Sequence, residues 1–209
     1  MSQIALPLEL AGVAGPSRIV AGNANAAVID AFANPAAWPF RTAVLSGPPR
    51  SGKSLLARWF AESGAGKFRG EAIDDADAVD ETELFHRWNR AQETGTALLL
   101  VSNTGTGAWR IDLPDLASRL AAALHLEVGV PDDAMLGELI AIHAEMRSLV
   151  LDESAATYLV PRCERSHLGV ERLVAEIDRL SLERKVAPTM AIWREALEAV
   201  NGVQQPRLL

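Results

Sequence analysis

An eight-residue stretch, GPPRSGKS at 47–54, has the residue types and spacing of a phosphate-binding loop. It matches the pattern G-x-x-x-x-G-K-[ST] at every fixed position, and its glycines let the backbone curl until several N–H groups face one phosphate. Lys53 can reach the β- and γ-phosphates of a nucleotide, and Ser54 can ligate Mg²⁺. A chance glycine turn is the alternative. The expected nucleotide-binding residues of the loop are Gly47, Pro48, Pro49, Arg50, Ser51, Gly52, Lys53 and Ser54.

Acidic residues lie at the end of a later apolar segment, AIDDAD at 72–77. Asp74 stands where a parallel strand would end, so we expect its carboxylate on the Mg²⁺ side of a bound nucleotide. Asp75 beside it could orient or polarise a water molecule as a catalytic residue. An acidic loop or a helix cap would have the same composition. The pattern gains weight because it follows a complete phosphate-binding loop.

A polar residue, Asn103, ends the strongest strand pattern of the chain, TALLLVSN at 96–103. Ligands of parallel α/β sheets bind beyond the carboxyl ends of the strands, which would put Asn103 beside the γ-phosphate of a nucleotide. A turn residue before the sequence TGTG fits the pattern equally well. The residues alone leave both interpretations open.

The elements that must position these residues alternate along the first 131 residues. Compact apolar runs predict buried strands, and segments of helix-forming composition separate them. This alternation is typical of a mostly parallel sheet with helices on both faces. From Pro131 onward every pattern is helical, which predicts a small helical subdomain. The predicted strands are 42–47, 70–77, 96–103 and 125–130, and the helices before Pro131 are 25–33, 51–63, 80–94 and 115–124.

Composition and charge restrict the class of protein. The 209 residues are 49% hydrophobic, which suffices for a packed core, and the net charge of −7 disfavours direct, sequence-specific DNA binding. Cys163 is the single cysteine, so no internal disulfide can form, which fits a reducing cytoplasm. We find no apolar window long enough to span a membrane and no secretory signal. We therefore expect a cytoplasmic protein without a membrane partner.

The segments around these motifs resemble the AAA+ ATPases, and more narrowly their DnaA branch. AIDDADAVDETELFHRWN is similar to the acidic motif of that branch and the helix after it, and LPDLASRLAAALHLEVGVPDD is similar to the segment that carries its arginine finger. Arg119 is the matching arginine. The resemblance covers roughly residues 20–203. It implies a P-loop α/β core followed by an all-helical lid, ADP or ATP with Mg²⁺ as cofactors, and the ability to form a homo-oligomer.

Two features depart from the pattern of that family. Ten residues, 64–73, separate the helix after the phosphate-binding loop from Asp74. The family fits another strand and helix there, so we expect a reduced sheet of four strands. In the lid, a gapless match of GVERLVAEIDRL to the lid helix of the family puts Glu171 at the position of the nucleotide-sensing arginine, and Arg172 follows it. A one-residue shift would make Arg172 a nucleotide ligand. Without that arginine, weaker γ-phosphate sensing would favour a protein that holds its nucleotide.

The two ends of the sequence resemble those of short, Hda-type members of the DnaA family. Only NGVQQPRLL follows the lid, where DnaA proteins carry a helix-turn-helix DNA-binding domain. Hda-type proteins bind the DNA polymerase sliding clamp through an N-terminal peptide that starts with glutamine, and QIALPL at 3–8 is similar to it. The resemblance implies that Gln3, Leu6 and Leu8 are anchors on the clamp; an edge strand or an apolar tail is the alternative. The expected divisions are a clamp-binding peptide at 1–12, a nucleotide-binding core at 13–131 and a lid at 132–209.

Together the motifs and the resemblance favour a regulator of replication initiation. In this hypothesis the chain binds the clamp and contacts ATP-bound DnaA, and Arg119 acts in trans as an arginine finger on the nucleotide of DnaA. The resulting ATP hydrolysis would prevent re-initiation, and the chain itself would have weak or no ATPase activity. Two alternatives stay open: a stand-alone AAA+ ATPase of the helicase-loader type, and a clamp-bridging interaction module with a relict nucleotide site.

Overall fold

The computed structural model describes residues 6–7, 18–63, 70–105 and 107–202. The chain divides into two compact units. The sheet unit is Ala24–Gly129, and the helical unit runs from Val130 onward together with the described residues up to Asn23. Within the described ranges, no helix has the length and apolar character of a membrane span.

Strands and helices alternate in the sheet unit, whereas 130–202 contains helices alone. In chain order, the strands of the described residues are β1 Leu6–Pro7, β2 Arg18–Ile19, β3 Thr42–Ser46, β4 Gly70–Ile73, β5 Ala97–Val101 and β6 Leu124–Glu127. The helices of the sheet unit are α1 Ala26–Phe32, α2 Lys53–Ser63, α3 Glu81–Thr94 and α4 Pro114–Ala121. Those of the helical unit are α5 Asp133–Met146, α6 Glu153–Leu159, α7 His167–Arg184 and α8 Met190–Gly202. Short 3₁₀ turns lie at Pro35–Ala37, Pro39–Arg41 and Ala76–Ala78.

Four strands of the sheet unit form one parallel sheet in the order β4-β5-β3-β6. Val44 of β3 pairs with Leu100 of β5 on one side and with His125 of β6 on the other. Every residue of β3 and β5 is buried, as expected for central strands that helices cover on both faces. The predicted parallel sheet is therefore confirmed, with the expected four strands among the described residues.

Side chains alternate between the two faces of this sheet, and helices pack on each face. On one face, Leu98 and Leu100 of β5 join an apolar cluster with Leu84 of α3 and Leu116 of α4. On the other face, α2 packs against β4 and β5, and its Phe60 is buried. These contacts hold α2 and α3 against the central strands, whose carboxyl ends carry the predicted site residues.

The helix α3 has defined signals at both ends. Asp80 caps its first turn by accepting two backbone N–H groups, at 3.0 and 3.1 Å, and Gly95 ends it with φ of 67°. A carboxylate at the start and a left-handed glycine at the end are common helix boundaries. The Glu81 carboxylate also accepts the backbone N–H groups of Asp112 and Leu113. It thereby ties the chain just before α4 to the start of α3.

In the helical unit, α7 packs against both α5 and α8. The five apolar residues that the sequence places on one face of this helix are all buried: Val170, Leu173, Val174, Ile177 and Leu180. Ahead of the helices, β1 and β2 form an antiparallel pair in which Leu6 lies opposite Ile19. Arg18 of β2 forms an ion pair with Glu145 of α5.

Candidate nucleotide-binding site

The predicted phosphate-binding loop connects the end of β3 to the start of α2, which is the strand–loop–helix context that the sequence predicts. Gly47 has φ of 151°, and a Cβ there would lie 3.0 Å from both the Cβ and the carbonyl oxygen of Val128. Gly52 has φ of 84°, and a Cβ there would meet no described atom within 4 Å. Both positions use backbone conformations that favour glycine. The two glycines differ in their surroundings, since Gly47 is crowded and the space beside Gly52 is open.

The Lys53 side chain turns back over its own loop. Its Nζ donates to the carbonyl oxygens of Gly47 at 2.9 Å and Pro48 at 3.0 Å, and the residue is only 5% exposed. An ammonium group has three N–H donors, so these two bonds leave one donor for a phosphate oxygen.

Three carboxylates act on the charge of Lys53. Burial lowers the pKa of Lys53, and the negative charges of Asp74, Asp77 and Asp75 oppose this shift without cancelling it. Since β5 pairs in parallel with both β4 and β3, the acidic segment after β4 and the loop after β3 lie at the same edge of the sheet.

Two residues of this region could hold Mg²⁺. Ser54 lies in the first turn of α2 and Asp74 follows β4, and both are exposed. Their hydroxyl and carboxylate oxygens are ligands that suit Mg²⁺, which usually completes its shell with phosphate oxygens and water. Within the described residues, no group of three or more His, Cys, Asp and Glu side chains is arranged to hold a metal ion. Beside them, the buried Ser51 Oγ has no hydrogen-bond partner in the described structure.

Two of the predicted site residues, Asp75 and Asn103, bind each other directly. Ile73 of β4 pairs with Leu100 of β5, so the loops that follow these parallel strands meet at one edge of the sheet. Asn103 Nδ2 donates to Asp75 Oδ1 at 2.5 Å. Asp75 adopts a left-handed backbone conformation with φ of 49°, which is uncommon outside glycine and concentrates at functional sites.

A third carboxylate, Asp77, organises the loop after β5. Its Oδ2 accepts the backbone N–H of Asn103 at 3.0 Å, the N–H of Thr104 at 2.8 Å and the Thr104 hydroxyl at 2.5 Å. Ser102 Oγ lies 3.2 Å from the same oxygen. Partial burial raises the pKa of Asp77, but the hydrogen bonds from Thr104 and Asn103 outweigh that effect and hold the pKa below its ordinary value.

The Arg119 guanidinium lies on aromatic side chains of α3. Its central carbon is 4.5 Å from the ring centre of Phe85 and 4.3 Å from that of Trp88, and its Nη1 donates to Asn89 Oδ1 at 2.8 Å. Arginine favours such stacking, and the contacts leave further N–H donors of the guanidinium available. We call Phe85, Trp88 and Asn89 the arginine cradle.

The remaining predicted site residues belong to other parts of the chain. Arg172 is exposed on α7 of the helical unit. Gln3 and Leu8, two of the predicted clamp anchors, lie outside the described residues, and of Leu6 the structure describes only its backbone pairing with Ile19.

Sequence reasoning missed Asp77 and the arginine cradle. Asp77 was visible only as the last acid of AIDDAD, and its partners are about 25 residues further along the chain. The cradle had a local signal, because Phe85, Trp88 and Asn89 stand three and four residues apart and so share one face of a helix. An arginine later in the chain could have been expected to use that face.

Comparisons with solved structures identify the fold. Domain III of the replication initiation protein DnaA from Thermotoga maritima matches 87% of this chain and 94% of its own, with a TM-score of 0.66 and 14% identity. The RuvB Holliday junction branch migration motor of Thermotoga maritima matches 85% of this chain and 68% of its own, with a TM-score of 0.59 and 18% identity. Replication initiator DnaA bound to AMPPCP and single-stranded DNA matches 80% of this chain and 66% of its own, with a TM-score of 0.58 and 15% identity.

Comparisons of sequence give less. No protein-family model matches the chain. An uncharacterized protein of Haemophilus influenzae is 28% identical over 131 residues, which are 60% of this chain and 57% of that protein. The chain thus spans little more than half the length of this relative. The structural likenesses confirm that the chain has the predicted AAA+ fold, which it shares with replication initiation proteins and with RuvB.

Proposed function

We propose that the chain is an AAA+ adaptor that controls replication initiation. It binds ADP or ATP with Mg²⁺, docks on the DNA polymerase sliding clamp through residues 3–8, and stimulates ATP hydrolysis by DnaA in trans. The observation that carries the proposal is the placement of Arg119 in the arginine cradle. Within the described residues, Arg119 makes no hydrogen bond or ion pair with its own candidate nucleotide site.

Nucleotide binding is supported by the loop geometry and by charge. Lys53 Nζ keeps one N–H donor beyond its two bonds to its own loop, and the negative charges of Asp74, Asp75 and Asp77 oppose the lowering of its pKa by burial. Backbone N–H groups of such a loop and the start of a helix attract phosphate oxygens. A DnaA of the same fold binds the ATP analogue AMPPCP. We assign Gly47–Ser54 to phosphate binding, and Ser54 with Asp74 to Mg²⁺.

Slow hydrolysis by the chain itself is supported by the lid sequence, since a gapless match puts Glu171 at the position of the family's nucleotide-sensing arginine. The amide of Asn103 also binds Asp75 Oδ1 at 2.5 Å, so both oxygens of Asp75 can accept from water only after that amide has turned away. The chain would then hold its nucleotide as a structural ligand. Its contribution to hydrolysis would be the arginine that it supplies to a partner.

An arginine supplied in trans stabilises the charge on the transferring phosphoryl group and raises slow hydrolysis by about 10³–10⁵. Stacking on Phe85 and Trp88 orders the Arg119 side chain while N–H donors of its guanidinium stay available. An ordered arginine loses less conformational entropy on meeting a phosphate. This supports the partly buried Arg119, rather than an exposed arginine, as the group that acts on DnaA.

Docking on the clamp rests on the sequence QIALPL at 3–8. Leucines that fill pockets and a glutamine that hydrogen-bonds beside them form a short anchor motif. The test is retention of the chain by immobilised clamp, compared with a Gln3→Ala/Leu6→Ala variant. The variant should lose clamp retention and, on clamp-loaded DNA, its stimulation of DnaA, while ADP affinity and thermal unfolding stay unchanged. Equal retention of both proteins would overturn clamp docking.

A stand-alone ATPase is the second candidate, because Lys53, Asp74 and Asp75 are all present and the RuvB motor has the same fold. Steady-state ATP turnover by the isolated chain distinguishes the two. Rapid turnover that Lys53→Ala abolishes would favour the stand-alone enzyme. Nucleotide binding with negligible turnover would favour the adaptor, and no binding of any adenine nucleotide in calorimetry would contradict both.

A further inference from the structure

We propose that Asp77 is a positioning residue for Asn103: it fixes the backbone of residues 102–104 so that the Asn103 amide can exchange Asp75 for a γ-phosphate. This inference rests on the proposed nucleotide-binding function of the same site. It assigns a role to a side chain that lies two residues beyond the acidic pair Asp74–Asp75.

The first support is that Asn103 is held at two separate points. Its backbone N–H is bound to Asp77 Oδ2 at 3.0 Å, and its side-chain Nδ2 is bound to Asp75 Oδ1 at 2.5 Å. Rotation about the side-chain torsions of Asn103 breaks only the second bond, because the position of the backbone N–H does not depend on them. The residue is exposed, so its side chain has room to turn.

The second support is that the whole turn is anchored, not Asn103 alone. Thr104 donates both its N–H and its hydroxyl to Asp77. The N–H of Ser102 donates to the carbonyl oxygen of Leu45 at 2.9 Å. Since Leu45 lies on β3, this bond ties the turn to the strand that leads into the proposed phosphate-binding loop.

The third support is the type of acceptor. Hydrogen bonds to a carboxylate are about twice as strong as those between neutral groups. Oδ2 of Asp77 gathers donors from consecutive residues into one centre. The turn is followed by Gly105, a residue with wide backbone freedom. Without Asp77 the turn would sample other conformations, and Asn103 would have to be ordered when the nucleotide binds.

The test uses the full chain with Asp77→Asn and Thr104→Val. Thr104→Ser is the conservative variant that keeps the hydroxyl donor. Thr96→Val is the matched control, because Thr96 lies at the other end of β5 and pairs with a threonine hydroxyl there. Two quantities are measured: hydrogen exchange of the Asn103 and Thr104 amides without nucleotide, and the dissociation constants of ADP and AMPPCP with Mg²⁺.

Asp77→Asn should speed exchange of the two amides by about ten-fold or more, since each loses a bond to a charged acceptor. It should weaken AMPPCP binding by about ten-fold while ADP affinity changes by less than about two-fold, because ADP has no γ-phosphate for Asn103 to meet. Thr104→Val should have smaller effects in the same direction. Thr104→Ser and Thr96→Val should behave like the unmodified chain.

Unchanged exchange in Asp77→Asn would overturn the inference. Equal weakening of ADP and AMPPCP would also overturn it, since a general loss of the site would then explain the effect. If the unmodified chain binds neither nucleotide, the proposed function fails. In that case hydrogen exchange alone decides whether Asp77 positions the turn. Faster exchange in Asp77→Asn would support this role, and unchanged exchange would overturn it.

Discussion

Substituting Gly52 with alanine should separate the role of this residue in folding from its role in binding. A Cβ at Gly52 would meet no described atom within 4 Å, so the alanine side chain would not clash with the described protein. The backbone φ of 84° remains a strain for alanine, of about 1–3 kcal/mol. If 47–54 binds phosphate as proposed, phosphate must approach this backbone closely. We therefore expect Gly52→Ala to lose both stability, through the strain, and nucleotide affinity, through the blocked approach of phosphate.

The size of the binding effect follows from linkage. A ligand at one hundred times its dissociation constant raises the free energy of unfolding by about 2.7 kcal/mol. If Gly52→Ala weakens ADP binding ten-fold, the same ADP concentration raises the free energy of unfolding by only about 1.4 kcal/mol. Urea unfolding at 25 °C, with and without ADP and Mg²⁺, measures both quantities. Gly105→Ala is the control, since Gly105 also has open space around it but no positive φ.

One result would refute this reasoning directly. If ADP stabilises Gly52→Ala as much as the unmodified chain, phosphate does not approach the backbone at Gly52. The assignment of 47–54 to phosphate binding would then be wrong. If ADP also fails to stabilise Gly105→Ala against urea, the substitutions act through the fold and not through the site.

Three further predictions concern neighbouring parts of the sheet unit. Gly47→Ala should destabilise the fold more than Gly52→Ala in urea unfolding. The Cβ added at Gly47 would lie 3.0 Å from the backbone oxygen of Val128, which cannot move easily. Equal destabilisation by the two substitutions would contradict the described packing. Asn89→Ala should lower the free energy of unfolding by about 0.5–1.5 kcal/mol, the worth of one hydrogen bond, and no change would mean that its bond to Arg119 is not formed in solution. The pKa of Asp77 lies below its ordinary 3.8 in the folded chain, so its stabilising effect is complete above that pH and is lost as the pH falls through the lower folded value. The difference in unfolding free energy between Asp77→Asn and the unmodified chain should therefore be constant near neutral pH and shrink in acid, and a pH-independent difference would contradict the role of its charge.

The sequence predicts the fold well because the strongest signals are local. TALLLVSN is a short continuous apolar run that favours a buried strand, and β5 is buried throughout. The four-stranded sheet follows from the ten residues between the helix after the loop and Asp74, which are too few for another strand and helix. The five apolar positions of α7 are likewise set by helical spacing, and all are buried.

The parts that sequence reasoning could not supply depend on contacts between distant residues. Asp77 in the segment after β4 binds Thr104 in the loop after the neighbouring strand β5, and composition does not say which acid of AIDDAD will find a partner. The same holds for Arg119, whose rotamer is set by Phe85 and Trp88 on a different helix. Periodicity gives the face of a helix, but it does not give the residue from elsewhere in the chain that covers that face.

The central claim is that Arg119 acts on the nucleotide of a partner, and one rate tests it most directly. The measurement is hydrolysis of ATP bound to DnaA, with sliding clamp loaded on DNA, in the presence of the unmodified chain, Arg119→Ala or the exposed control Arg110→Ala. The account predicts that the unmodified chain and Arg110→Ala stimulate hydrolysis and that Arg119→Ala loses the stimulation while it still binds clamp and ADP. Full stimulation by Arg119→Ala would contradict the account.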